Sequence, residues 1–219
     1  MSPGCFFLDF SQYFYIIIQM KASTFLIGLT GNIASGKSTV GKILLEHGFP
    51  VIEADRIGWK ILEREEVKKE ITASIGDCIE KDKIERKRLG RLVFSDKGLL
   101  RKLNSIVHPP LIDELQREIE HTKNSVIVLN AALLFEWGIE GWCDVIILVM
   151  TDRESRIKRL MESNLTKEEA IQRIDSQIPD ETKRNRCDYV IENTSTLENL
   201  TEKVLAIIPH LPSPDHIGN

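Results

Sequence analysis

Near the amino terminus, Gly31-Asn-Ile-Ala-Ser-Gly36-Lys37-Ser38 fills every fixed position of the pattern G-x-x-x-x-G-K-[ST]. Each fixed residue type has a physical task. Gly31 and Gly36 permit sharp turns, so the N–H groups of Ala34, Ser35, Gly36 and the residues that follow converge on phosphate oxygens. A helix beginning near Lys37 adds the positive end of its dipole. The Lys37 ammonium reaches the β- and γ-phosphates of a nucleoside triphosphate, the Ser38 hydroxyl holds Mg²⁺, and Thr39 suits a phosphate further back.

Such a loop serves switches, motors and kinases alike. Phosphoryl transfer to an alcohol also needs a carboxylate beside the hydroxyl. Asp55 closes a short apolar run over residues 50–55, which reads as a strand that delivers it to the nucleotide edge. An ordinary helix N-cap explains an Asp there equally well. The chain lacks the guanine-reading N-K-x-D pattern, and the strand in which a motor ATPase would place an acid for Mg²⁺ ends in Asn130. Both features favour a compact kinase.

The elements that must position these groups are legible from periodicity. Phe25-Leu-Ile-Gly-Leu-Thr30 is a buried strand, and Val40, Ile43 and Leu44 mark an amphipathic helix closed by Gly48. After the run at 50–55, a long charged helical region extends to about Gly76, with Ile57, Ile61 and Leu62 as its apolar face. A second helical stripe (Leu99, Leu100, Leu103, Ile106, Val107) is expected to stop at His108-Pro109-Pro110. A new helix then starts at Pro110. Residues 125–130 and 144–150 are continuous apolar runs, the mark of central strands in a parallel sheet covered on both faces. Residues 152–175 read as helical, 188–192 as a last strand, and Leu197, Leu200, Val204 and Ile208 as a terminal helix. The alternation predicts a doubly wound α/β fold, a parallel sheet in three α/β/α layers, with ligands at the C-terminal strand ends.

Composition sets the wider bounds. The chain has 219 residues, 42% hydrophobic and 28% charged, with a formal charge of −4. That is an ordinary globular balance, without the basic excess of a general nucleic-acid binder. Four cysteines, with no CxxC pair, fit neither a zinc site nor a disulfide framework, so a cytoplasmic setting is expected. Phe6, Phe7, Phe10, Tyr13, Phe14 and Tyr15 crowd the start of the chain, yet no Lys or Arg precedes Lys21 and the longest apolar run spans only residues 13–18. The segment is therefore neither a signal peptide nor a membrane span. Met20 is either an alternative initiator or part of an apolar arm.

Taken in order, the motifs resemble one family. The stretch Gly28-Leu-Thr-Gly-Asn-Ile-Ala-Ser-Gly-Lys-Ser-Thr-Val40 and Val51-Ile-Glu-Ala-Asp55 is similar to dephospho-coenzyme A kinase. So are Ile84-Glu-Arg86, Leu103-Asn104, His108-Pro109, Leu133-Leu-Phe-Glu136, Arg159, Ser176-Gln177 and Asp188-Tyr-Val-Ile-Glu-Asn193. The resemblance covers about residues 25–205. It implies transfer of the ATP γ-phosphate to the ribose 3′-hydroxyl of dephospho-coenzyme A, the last step of coenzyme A biosynthesis. The implied partners are small molecules, with no nucleic acid and no membrane.

By the same resemblance Asp55 is the general base, Lys37 the phosphate clamp and Arg159 part of a lid closing over ATP. Arg86, His108, Leu133 and Glu136 border the acceptor, and Asn193 lies near the adenine. The implied organisation is an N-terminal extension (1–22), one kinase domain (23–210) and a loose tail (211–219). Within the domain, the core comprises 23–55, 122–151 and 186–210, the acceptor-binding helical region 56–121 and the lid 152–178.

Departures from the family pattern are Asn32 and Ala34 in place of glycines, Ala132 for a proline, Glu53 for an aspartate, and Ser163 where a second lid arginine is usual. Arg156, three residues before Arg159, lies on the same helix face and is a possible substitute. The alternatives are another nucleoside or nucleotide kinase, or a catalytically weakened nucleotide-binding regulator. Local readings compete at several positions. The basic cluster Lys81, Lys83, Arg86, Lys87, Arg88 and Arg91 is a solvated face or a lure for the acceptor diphosphate. Trp59 and Trp137 read as core packing first, His108 as a helix-end residue, and Glu136 as a surface acid or the partner of an acceptor-site arginine.

Overall fold

The computed structural model describes residues 24–214, so residues 1–23 with Cys5 and Met20, and residues 215–219 of the tail, lie outside the described part. In chain order, β1 (Phe25–Thr30) leads through the glycine loop into α1 (Lys37–Glu46), followed by β2 (Val51–Glu53). Next come α2 (Ala54–Leu62), α3 (Glu65–Ser74), the antiparallel pair β3 (Ile79–Glu80) and β4 (Lys83–Ile84), α4 (Arg86–Ser95) and α5 (Lys97–His121). The chain re-enters the main sheet with β5 (Val126–Asn130) and β6 (Val145–Met150). It then leaves through α6 (Arg153–Glu162), α7 (Lys167–Asp175) and α8 (Asp180–Arg184), and finishes with β7 (Tyr189–Glu192) and α9 (Leu197–Ile207).

The five long-range strands form one parallel sheet in the order β2-β5-β1-β6-β7. Strand alternation divides its side chains between two apolar layers. Leu26, Ile127, Leu129 and Ile146 pack under Ile61, Ile71 and Leu115 of the helical segment. Ile27, Leu29, Val128, Ile147 and Val149 face Val40 and Leu44 of α1 and Leu200 and Val204 of α9. Each fully buried aliphatic side chain contributes about 1.5–3 kcal/mol, so coverage of both faces explains why these strands are apolar throughout. All five strands point the same way. Their C-terminal ends therefore gather the glycine loop, Glu53, Asn130, Met150 and Glu192 along one edge, where the order of strands changes direction around β1.

Two local expectations are corrected and one is refined. The helix expected to stop at His108 runs unbroken through Pro109 and Pro110 from Lys97 to His121. Each proline removes an intrahelical donor at about 3 kcal/mol or more, but Ile106, Leu111, Leu115 and Ile119 lie along one buried stripe that spans the break. Burial of four aliphatic residues outweighs the local preference. The charged helical region before Gly76 consists of two helices, with a turn at Glu63 and Arg64. Trp59 is not a core residue, being 48% exposed.

Candidate active site

The glycine loop is shaped by contacts that exclude larger residues. Gly31 has φ +141° and Gly36 φ +103°. A Cβ on Gly31 would run into the Val149 carbonyl oxygen, and one on Gly36 into the Asn193 amide. Ala34 occupies the left-handed region at φ +62°, a conformation that costs an L-residue about 1–2 kcal/mol. Its carbonyl accepts a hydrogen bond from Arg159 Nη1 at 2.9 Å. Asn193 Nδ2 donates to the Ser35 carbonyl at 2.8 Å. The Asn193 backbone N–H donates to Met150 O at 2.7 Å, and its carbonyl accepts from Thr151 Oγ1 at 2.7 Å. Above the loop opens a cavity of about 410 Å³ lined by Ala34, Ser35, Gly36, Lys37, Ser38, Thr39, Arg159 and Asn193, with Ser195, Leu197 and Leu200 on its wall.

Lys37 begins α1 at the floor of this cavity. Burial pulls its pKa below the ordinary lysine value; Asp55 is the strongest charge working against that shift, Lys183 adds to it, and Asp180 and Glu53 oppose it. Asp55 is exposed and lies in the first turn of α2, one residue past the helix start at Ala54. The strand expected to carry it ends earlier, at Glu53. Nor is Asp55 the N-cap. That position is Glu53, which makes no side-chain cap and instead accepts from Asn130 Nδ2 at 2.9 Å. The first helical turn favours a carboxylate through the helix dipole, and Asp55 is the acid of that turn.

The residues expected around an acceptor are distributed differently. Arg86, the first residue of α4, stacks its guanidinium 4.4 Å above the Trp59 ring, and both are exposed. His108 meets Trp137 edge-to-face at 6.0 Å; it is a mid-helix residue, and burial lowers its pKa against the opposing charge of Glu136. Leu133 is half-buried in the turn after β5. Glu136 is neither a surface acid nor an arginine partner. Its Oε1 accepts from the Ile178 N–H at 2.9 Å and pairs with Lys183 Nζ at 3.1 Å. Arg156 does not share the Arg159 cavity either; it is buried and pairs with Asp180 at 3.5 Å beside a separate cavity of about 510 Å³. Ser163 caps the end of α6 and donates its hydroxyl to Leu160 O at 2.7 Å.

Helix α7 is tied to both α4 and α6. Arg91 of α4 pairs with Glu169 at 3.0 Å, Arg173 lies 5.1 Å over Phe94, and Arg153 of α6 pairs with Asp175 at 2.6 Å. Sequence reasoning missed Lys183, Asp180 and Ser195. Lys183 and Asp180 stand in a charged run, Asp-Glu-Thr-Lys-Arg, that carries no local sign of burial.

The family model for dephospho-CoA kinase matches residues 25–199 of the chain. A dephospho-CoA kinase of Fusobacterium nucleatum is 43% identical over 185 residues, which is 83% of this chain and 96% of that protein. The chain belongs to the dephospho-CoA kinase family. A crystal structure from Thermus thermophilus is 36% identical with a TM-score of 0.71, covering 87% of this chain and 99% of that one. The dephospho-CoA kinase of Campylobacter jejuni is 32% identical with a TM-score of 0.62, over 84% of this chain and 96% of its own. Membership accounts for the parallel sheet and for the glycine loop at its centre. Among the described residues no helix is long and apolar enough to cross a membrane.

Proposed function

We propose that this chain transfers the γ-phosphate of ATP to the ribose 3′-hydroxyl of dephospho-coenzyme A, giving coenzyme A and ADP in the last step of coenzyme A biosynthesis. The observation that carries it is the cavity over the glycine loop, lined by residues 34–39 and Arg159, in a chain whose residues 25–199 match the dephospho-CoA kinase family model.

On this reading the triphosphate lies in the cavity against the N–H groups of residues 34–39, with Lys37 and Arg159 matching the negative charge that spreads over the transferring phosphoryl group. Asp55 accepts the proton of the 3′-hydroxyl as that oxygen bonds to the γ-phosphorus. The bond from phosphorus to the β,γ-bridging oxygen breaks, and ADP leaves with the electron pair. Asn193 holds the loop from behind and lies close to the base. Ser38 is exposed and lines the cavity, and Asp55 is exposed in the first turn of α2. These are hard oxygen donors of the kind Mg²⁺ takes when phosphates complete its shell, so they fit that ion. When bound, Mg²⁺ neutralises charge on the phosphates.

Residues 56–121 serve the acceptor through Arg86 and His108, joined by Leu133 from the turn after β5, and 152–178 act as the lid. The α4–α7 contacts then join acceptor region to lid, which suits closure that keeps water from the γ-phosphate. The described cysteines Cys78, Cys143 and Cys187 are free thiols, as a reducing cytoplasm requires. The test is incubation with ATP, Mg²⁺ and a panel of 3′-hydroxyl acceptors, followed by mass spectrometry. Coenzyme A as the favoured product supports the reading. A better acceptor, or ATP binding without transfer, replaces it with another kinase or a regulator.

A further inference from the structure

Behind the glycine loop lies a buried polar cluster for which the transfer chemistry has no use. Lys183, on α8, is 1% exposed. Its Nζ donates to Asn32 Oδ1 at 2.7 Å and meets Glu136 Oε1 at 3.1 Å. Asn32, also 1% exposed, is the second residue of the loop. Its N–H donates to Asp180 Oδ1 at 3.2 Å and its Nδ2 to Ile178 O at 3.1 Å. The next N–H, of Ile33, donates to Gln177 Oε1 at 2.7 Å. The first half of the loop thus directs its polar groups away from the cavity, into residues 177–183. Glu136 lies in the turn after β5, beside the segment that carries Leu133.

A buried ion pair is a weak source of stability, because desolvation offsets the attraction. What this one supplies is direction. One ammonium contacts a loop residue and a turn residue that belong to different strand ends, and a planar amide fixes where the loop backbone lies. We infer that Lys183 is a positioning residue, which through Asn32 and Glu136 clamps the phosphate loop to the turn after β5 so that donor and acceptor meet in register. This rests on the kinase reading for its acceptor half only. The clamp on the loop is testable with nucleotide alone.

The experiment measures ADP affinity by calorimetry, and kcat and KM by product formation, for the wild type, Asn32→Ala, Lys183→Met and the double variant. A hydrogen bond to a charged group is strong enough that each single variant is expected to weaken ADP binding about tenfold or more. Turnover should fall by at least a similar factor, while the acceptor KM stays within about threefold. Because either variant removes the shared Asn32–Lys183 bond, the double variant should lose less than the product of the two single losses. A merely structural role would not give that non-additivity. Asn32→Ala leaves the Lys183–Glu136 pair intact, so it decides the matter if Lys183→Met does not fold. Wild-type ADP affinity and turnover in Asn32→Ala, or losses that multiply in the double variant, overturn the clamp. A wild type that makes no coenzyme A overturns the acceptor assignment instead, and the ADP affinities still test the clamp.

Discussion

Asn193 reaches from the end of β7 to the glycine loop, where its amide Nδ2 donates to the Ser35 carbonyl at 2.8 Å. The same amide occupies the space that a side chain on Gly36 would need. The two residues are therefore one device: glycine admits the amide, and the amide fixes the turn whose N–H groups bind phosphate in the proposed function. Asn193→Leu leaves a buried carbonyl without its donor, at about 1–3 kcal/mol. Nucleotide affinity should fall about tenfold or more by calorimetry. Gly36→Ala should abolish binding, through both the clash and the positive φ. An Asn193→Leu protein that binds ADP like the wild type would refute the device.

Asp55→Asn separates binding from chemistry. The amide keeps the size of the carboxylate but accepts no proton, and general-base catalysis is worth about 10²–10⁴-fold. Turnover should fall by that factor in steady-state assays. ADP affinity should stay within about threefold, because the loop N–H groups that bind phosphate are untouched. Retained turnover would transfer the base role to another group.

His108 gives the fold a pH dependence with a definite sign. Burial holds its folded pKa below 6.5, so between the folded value and 6.5 the unfolded chain binds more protons than the native one. Stability is then lost as pH falls through that window, whereas above 6.5 the residue contributes no slope. Thermal denaturation at pH 7 and pH 5 should show a smaller acid-induced loss of Tm in His108→Gln than in the wild type. The missing Trp137 contact lowers Tm at both pH values alike, so only the difference matters. Equal acid losses would dismiss His108 as a contributor.

What could be read in advance follows from how local each cause is. The β1–loop–α1 unit, the apolar strands and the parallel order rest on periodicity and glycine spacing within short windows, and the sheet carries them as expected. Pro109 and Pro110 misled because proline's effect is local while the burial of Leu111, Leu115 and Ile119 is tertiary. Trp59 misled in the opposite sense, since nothing near it announces an exposed ring covered by Arg86. The clamp around Asn32 was out of reach. Its partner Lys183 lies 151 residues away, and a lysine in a charged helix gives no sign that it is buried until the chain is folded around it.

Arg159 is the remaining test of the donor site. It lines the cavity, and its Nη1 donates to the Ala34 carbonyl at 2.9 Å. That bond holds a guanidinium over the loop before any phosphate is present and steadies the one non-glycine residue of the loop with positive φ. An arginine that meets transition-state charge contributes about 10³–10⁵ in kcat. Arg159→Ala should therefore lower turnover by about 10³, and Arg159→Lys should recover only part of it, because an ammonium lacks the planar pair of donors. The bond to Ala34 also implies a loss of ADP affinity, but a smaller one than the loss of kcat. If affinity and turnover fall by the same factor, the guanidinium is only a loop brace. If turnover falls far more, it acts on the transferring group.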